Sequence, residues 1–422
     1  MKIIKKIVVL GAGYAGITFA TNLDYKISKD DFQIILVDAN NSHELIQLAH
    51  LVAAGFKKIE EVRVPISKLI ENTNIHFKQG FVKKIKADEQ KIISDKFEIQ
   101  YDFLVVALGA TTKFFNIKGA TNYGLTLRSI NDALAIYKKI IDLINNNNKS
   151  YNQEKETIII VGGGATGVQI AGAIGDLVNR SKSPNIEIKI ITSSSTLLPG
   201  WDKRIIEKVT NILQRKGVNI VTDSYVSEVK SDRIILNNDH YISSSITIWT
   251  PGVEGFDITI EPEIEKTKDG RIIVNEFCQN QKFTNLFCIG DISAIIDSFG
   301  KIQNPPLGQF AISKAIYLAE FISKYFIEGK EPREKFSFDV STRILSLGVN
   351  DYVGLVGNVI IDGGIAKIIK DFKKEAHLDS LYTRGSSIFK NIYKDEELSN
   401  LLIGIAIGYS LSKKVNLWSL NK

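Results

Sequence analysis

One pattern occurs twice in this chain and restricts its fold more than any other feature. A short apolar run leads into a turn of the form Gly-x-Gly-x-x-Gly, and a helix-forming segment follows. In the first copy residues 7–10 form the run, Gly11, Gly13 and Gly16 the turn, and about 14–23 the helix, with a second strand at 32–37. In the second copy the run is 157–161, the glycines are Gly162, Gly164 and Gly167, the helix extends to about 178, and the next strand is 186–191. Runs that are apolar throughout read as parallel strands buried on both faces. The first glycine allows a tight turn, the second lets backbone approach a pyrophosphate, and the third lets helix and strand pack closely. The helix N-terminus adds partial positive charge.

The residues around each turn sharpen this reading. Asp38 ends the strand after the first turn, 22 residues beyond Gly16, where a carboxylate can accept a bond from a ribose hydroxyl. That position favours a dinucleotide ligand. The second copy has no such acid: its strand runs into Thr192, Ser193 and Ser194, and Glu187 begins the strand rather than ending it. The hydroxyls of Ser193 to Ser195 tolerate a 2′-phosphate, but no arginine stands beside them to favour one. A third motif closes the set. The segment 285–289 is followed by Gly290 and Asp291, which places a carboxylate at the carboxyl edge of a parallel sheet, where such folds bind ligands.

Composition excludes several alternatives. With only Cys278 and Cys288 there is no disulfide framework and no cysteine-based metal site, and the five histidines show no ligand spacing. No metal centre is expected. The net charge of +6 is mild, and no basic cluster of the kind that marks a nucleic-acid surface is evident. The first ten residues carry three lysines before an apolar run, but the run enters Gly11 directly, so it reads as a strand rather than a leader. No stretch reaches the roughly 18–20 apolar residues of a membrane-spanning helix. Asn145 to Ser150 is read as a polar surface linker before the second unit.

Taken together, the motifs resemble the two-dinucleotide flavoprotein disulfide-reductase superfamily. Within it the chain is most similar to type II NADH dehydrogenases, single-subunit NADH:quinone oxidoreductases that do not pump protons. Besides the three motifs, the likeness rests on Ser42-His43-Glu44-Leu45, on Tyr101 to Gly109 with Thr112 to Ala120, on Leu127 to Ala133, on Trp249-Thr250-Pro251-Gly252-Val253, and on Asn304-Pro305-Pro306-Leu307-Gly308-Gln309-Phe310-Ala311. It implies two Rossmann-type domains in a glutathione-reductase-like α/β arrangement: an FAD domain of residues 1–118 and 272–335, a nicotinamide domain of 119–271, and a C-terminal region of 336–422. It implies FAD contacts at Gly11, Gly13, Ala15, Gly16, Asp38, Ala39, Val82, Gly109, Gly290, Asp291, Gly308 and Gln309, and NADH contacts at Gly162, Gly164, Gly167 and Gly252. Gln309, Phe310 and Lys314 are the residues it places toward flavin and quinone; as alternatives, Phe310 is a packed residue and Lys314 a solvated charge. Three departures stand out: Gln169 and Ile174 where relatives often have glutamates, the missing acid after the second strand, and Ser313 in place of a second glutamine.

The C-terminal region bears on location. Residues 365–394 hold seven basic residues against three acids, interleaved with apolar and aromatic side chains. Residues 401–411 form an apolar run too short to span, followed by Lys413, Lys414 and Trp418. This pattern suits an interfacial anchor on the cytoplasmic face of a membrane. The alternative is a helix packed on the protein's own core or on a second copy in a homodimer. Two rival functions remain: sulfide:quinone oxidoreduction, which needs cysteines beside the flavin, and a flavin-bearing membrane protein without turnover. Cys288 is read as a small buried hydrophobe and His43 as a satisfied loop or core histidine rather than a proton donor.

Overall fold

The computed structural model describes residues 4–147, 155–183, 185–237, 239–296, 302, 305–329, 334–337, 342–384 and 404. In chain order the elements that matter are β1 (Lys5–Leu10), α1 (Tyr14–Asp24), β2 (Phe32–Asp38), β3 (Ile75–Gln79), β4 (Phe103–Val106), β5 (Gly124–Leu125), α2 (Ile130–Asn147), β6 (Glu156–Val161), α3 (Ala165–Ser181), β7 (Ile186–Ile191), β8 (Val218–Val221), β9 (Ile246–Trp249), β10 (Leu286–Cys288), α4 (Gly308–Glu328), β11 (Thr342–Ser346), β12 (Tyr352–Val356), β13 (Val359–Asp362) and α5 (Gly363–Tyr382).

Two five-stranded parallel sheets carry the architecture. The first has the order β10-β4-β1-β2-β3 and the second β5-β9-β6-β7-β8. The inner strands are apolar because helices and loops cover both faces: Ile7 to Leu10 and Ile158 to Ile160 have no solvent exposure. The two units share their register at the turn. The amide of Gly11 donates to Val37 O (2.7 Å), and that of Gly162 to Ile191 O (2.8 Å). A mixed four-stranded sheet, in which Val82–Lys86, Lys91–Ser94 and Glu98–Gln100 pair antiparallel and Thr259–Glu261 adds in parallel beside Val82–Lys86, adjoins the first unit.

Helix α2 takes in Asn145 to Asn147, which were expected in a surface linker; the rest of that linker lies outside the described residues. Its buried face is Ile130, Ala133, Ile136, Ile140 and Ile144, a spacing of three and four residues that a helix places in one stripe.

Over its described part the C-terminal segment packs on the protein's own core, the alternative to an interfacial anchor. Strands β11, β12 and β13 form an antiparallel sheet, and α5 folds back over it and against α1. The lysines of α5 do not make a free cationic face. Lys367 pairs with Asp371, Lys374 pairs with Glu375, and Lys370 Nζ reaches Gln169 Oε1 (3.0 Å) and Ser346 Oγ (2.7 Å). Ser346 Oγ also bonds His50 Nε2 at 2.6 Å. Burial pushes the Lys370 ammonium down to about 7. Thus Gln169 anchors the C-terminal helix to α3. The remaining basic and apolar residues of the expected anchor, 385–403 and 405–422, lie outside the described residues.

A close joint between α3 and the turn after β11 is Gly172, where a β-carbon would lie 2.6 Å from Leu347 O. Gly172→Ala is expected to destabilise the protein by about 1–3 kcal/mol through overpacking. Thermal or urea unfolding reads this directly, and an unchanged midpoint contradicts it.

Candidate active site

Both glycine turns open at the carboxyl edge of their sheets. In the first, Gly11 holds φ +97° and a β-carbon there would lie 2.4 Å from Ala107 O; at Gly16 one would lie 1.8 Å from Gly11 O. Only glycine allows these approaches. At Gly13, by contrast, nothing lies within 4 Å, and the same holds at Gly109 (φ +73°) and Gly308. Those three positions come from three different parts of the chain and leave their backbone open to a ligand.

Ala12, inside the turn, is held from both sides. Its amide donates to Asp38 Oδ2 (2.7 Å), and its carbonyl accepts from His43 Nδ1 (3.0 Å). A carbonyl only accepts, so His43 carries its proton on Nδ1. Burial lowers the His43 pKa and keeps the ring neutral. Rings of Tyr14 and His377 pack against it at 5.0 and 5.7 Å. Asp38 also accepts from the amide of Asn40 (2.7 Å); burial still raises its carboxyl above the usual range. Gln79 Nε2 donates to Ala39 O (2.9 Å), which joins the end of β2 to the end of β3. Val82 is buried in the core of the same unit.

Gly290 (φ +74°) turns the chain so that Asp291 stands at the edge of β10. Burial raises the Asp291 pKa, opposed by the positive charges of Arg128, Lys314 and Arg271. Arg128 lies 3.9 Å from Asp291 Oδ2 and donates to Ala110 O at 3.1 Å. Lys314, expected on the quinone side or in solvent, has no solvent exposure. Its Nζ donates to Ser293 Oγ (2.6 Å), and Ser293 Oγ donates to Gly290 O (2.9 Å). The lysine therefore braces the Gly290 turn from behind. Ala15 and Ala311 are the atoms nearest a β-carbon built on Gly290, at 3.0 and 4.0 Å, so α1 and α4 meet under this turn.

Helix α4 begins at Gly308 without a side-chain cap, a natural seat for partial negative charge. The Gln309 amide turns away to Thr342 O (2.8 Å), tying α4 to β11. Phe310 and Ser313 are buried. His43, Arg128 and Ser293 were not singled out for these positioning roles from the sequence. Their roles come from partners 31, 18 and 3 residues away or across sheets, and only Ser293 is near its partner in the chain.

The second turn repeats the first. Gly162 holds φ +112°, a β-carbon at Gly167 would lie 1.9 Å from Gly162 O, and Gly164 faces open space. Gly252 closes the far side: Lys113 N donates to Gly252 O (3.1 Å), Trp249 Nε1 donates to Lys113 O (3.0 Å), and the Phe115 ring covers Gly252. The segment leaving the first sheet is thereby stitched to the edge of the second. Neither cysteine takes part. Both thiols are buried, and burial pushes Cys278 up to about 11 and Cys288 higher. They stay protonated and inaccessible at neutral pH. Among the described residues there is no group of three or more His, Cys, Asp or Glu placed to hold a metal.

A family described as pyridine nucleotide-disulphide oxidoreductase matches residues 5–315, which include both turns and Asp291. The chain belongs to that family. Among curated relatives, a protein of Staphylococcus saprophyticus named type II NADH:quinone oxidoreductase is 29% identical over 377 residues, covering 87% of this chain and 93% of the relative. One of Staphylococcus aureus with the same name is 27% identical over the same lengths. Among solved structures, NDH2 of Plasmodium falciparum in complex with NADH superposes with a TM-score of 0.78 at 18% identity, covering 92% of this chain and 99% of the other. The sulfide:quinone oxidoreductase of Aquifex aeolicus gives 0.76 at 20% identity, with 92% and 94% covered. These two structural likenesses establish the shared fold.

The brace beneath Gly290 has a consequence for stability. Burial pushes the Lys314 pKa down to about 8 from 10.5. Below pH 8 both folded and unfolded chains hold the proton, and the folded state carries the full cost of the buried charge. Between about pH 8 and 10.5 the unfolded chain binds more protons, so stability rises with pH. Lys314→Met is expected to flatten this rise when unfolding midpoints of the two proteins are compared from pH 7.5 to 10. Parallel curves contradict it.

Proposed function

We propose that the chain is an FAD-dependent NADH:quinone oxidoreductase that does not pump protons. The observation that carries this reading is the pair of glycine turns in matching register, one backed by Asp38 and facing Asp291, the other closed by Gly252. The residues fit FAD: open backbone at Gly13, Gly109 and Gly308, an uncapped helix N-terminus at α4, and carboxylates at both ends of the groove. Bound there, FAD supplies the redox chemistry, taking hydride from the nicotinamide and giving two electrons to a quinone.

The chain's own residues bind and orient. The Gly11–Gly16 turn and the start of α1 hold the pyrophosphate, with Ala15 alongside. Asp38, with Ala39 and Val82, receives the adenosine end. Asp291 accepts from the ribityl hydroxyls, kept in place by the Lys314–Ser293–Gly290 relay, while the charges of Arg128 and Lys314 favour its ionised form against burial. The Gly308 and Gln309 amides stabilise negative charge on the ring. Gly162, Gly164 and Gly167 take the second pyrophosphate. Phe310, buried in the first turn of α4, is assigned to the quinone side. A flavin-binding unit of 1–118 and 272–335, a nicotinamide unit of 119–271 and a C-terminal unit of 336–422 fit the two sheets and the C-terminal sheet with α5. Residues 385–422 are the proposed contact with a membrane surface; a peripheral attachment fits the finding that no described helix is long and apolar enough to cross a membrane.

The buried, protonated thiols of Cys278 and Cys288 argue against the sulfide reading, which needs sulfur chemistry beside the ring. The test is anaerobic stopped-flow of flavin absorbance in the purified protein. Rapid bleaching by NADH, reversed by a short-chain quinone, is the expected result. Bleaching by sulfide with none by NADH contradicts the proposal.

A further inference from the structure

The two dinucleotide units differ at one place that decides which nicotinamide cofactor fits. The bonds from Gly11 N to Val37 O and from Gly162 N to Ile191 O set the two turns in one register. The next residue along each strand is therefore equivalent: Asp38 in the first unit, Thr192 in the second. Asp38 reaches across to the amide of Ala12. Thr192 stands over Gly163 in the same way, with Oγ1 2.9 Å from where a β-carbon on Gly163 would be, and it accepts from Ser194 N at 3.3 Å.

We propose that the second dinucleotide site takes NADPH as well as NADH, because a neutral Thr192 fills the place held by Asp38 in the first. The inference rests on the function proposed above and extends it to the phosphorylated cofactor. A carboxylate at this position accepts from a ribose 2′-hydroxyl and repels a 2′-phosphate. A threonine hydroxyl does neither strongly, since it accepts from a hydroxyl or donates to a phosphate oxygen. The following residues, Ser193 and Ser195, are exposed and add neutral hydroxyls.

The surrounding charges set how far this goes. Asp223, just beyond β8, has its amide on Ser194 O (3.1 Å), so its exposed carboxylate stands beside the same loop and weakly disfavours a phosphate. Exposed as it is, solvent and salt screen it. Arg204 is engaged with Asp202 at 2.7 Å, and Lys189 with Glu187 at 3.2 Å. Among the described residues of this loop, neither a buried acid nor a dedicated guanidinium biases the site, so discrimination is small.

The test uses the holoenzyme with NADH and NADPH as reductants, and NAD⁺ and NADP⁺ as binding probes in calorimetry. Wild type is expected to show ratios of flavin-reduction efficiency and of affinity within about tenfold, that is about 1.4 kcal/mol. Thr192→Glu is expected to raise the preference for NADH and NAD⁺ by at least about tenfold, and Asp223→Asn to shift it a few-fold toward NADPH. A wild-type preference of about a hundredfold or more, or a Thr192→Glu ratio equal to wild type, overturns the inference. If neither nucleotide reduces the flavin, the proposed function fails, while the binding ratio of NAD⁺ to NADP⁺ still decides this inference.

Discussion

The contact on which the rest depends is the meeting of each helix with the glycine turn that precedes it. At Gly16 and Gly167 a single added carbon would sit within 2 Å of a turn carbonyl. Because no side chain intervenes, the helix N-terminus is driven against the end of its strand, and its first amides face the sheet edge. This fixes where an anion can lie, and it fixes it twice. The remaining strands, Asp38, Asp291 and the α4 N-terminus are then placed around an edge whose position is already determined.

The second layer of the account is electrostatic. A groove built for a dinucleotide needs carboxylates at its ends, and burial opposes their ionisation at Asp38 and Asp291. The structure answers differently at the two ends. Asp38 is steadied by backbone amides, which add no net charge. Asp291 is steadied by cations, with Arg128 at the mouth and Lys314 behind it. A buried lysine whose bond among the described residues is to a hydroxyl is itself disfavoured, so part of the folding free energy is given up to hold one turn in place. The cysteines of the same region carry no such burden: burial raises both thiols, and they serve as small apolar residues.

Much of this architecture was legible in the amino-acid order. Buried parallel strands are apolar throughout, and their ends are marked by glycine, so β1, β2, β6 and β7 were placed to within about two residues. The position of Asp38 followed from its distance to Gly16. Other features were hidden for physical reasons. Helix α2 has a clear three-and-four spacing, but it starts in a region dominated by loop-like residues and ends in asparagines. The burial of Lys314 depends on Ser293, a partner 21 residues away in a different element. The basic residues of α5 read as a membrane-facing surface because sequence alone does not reveal their partners; Gln169 lies 201 residues from Lys370. Gln169, one of the departures from the family pattern, takes part in a joint between α3 and the C-terminal helix.

The central claim is that the first turn, with Asp38 and Asp291 at its ends, holds one FAD. Denaturing the freshly purified protein and identifying the released flavin by chromatography and mass spectrometry tests it most directly. The account predicts FAD at close to one per chain, with release sharply increased in Asp38→Ala. Recovery of FMN, or FAD binding unaffected by Asp38→Ala, would contradict it.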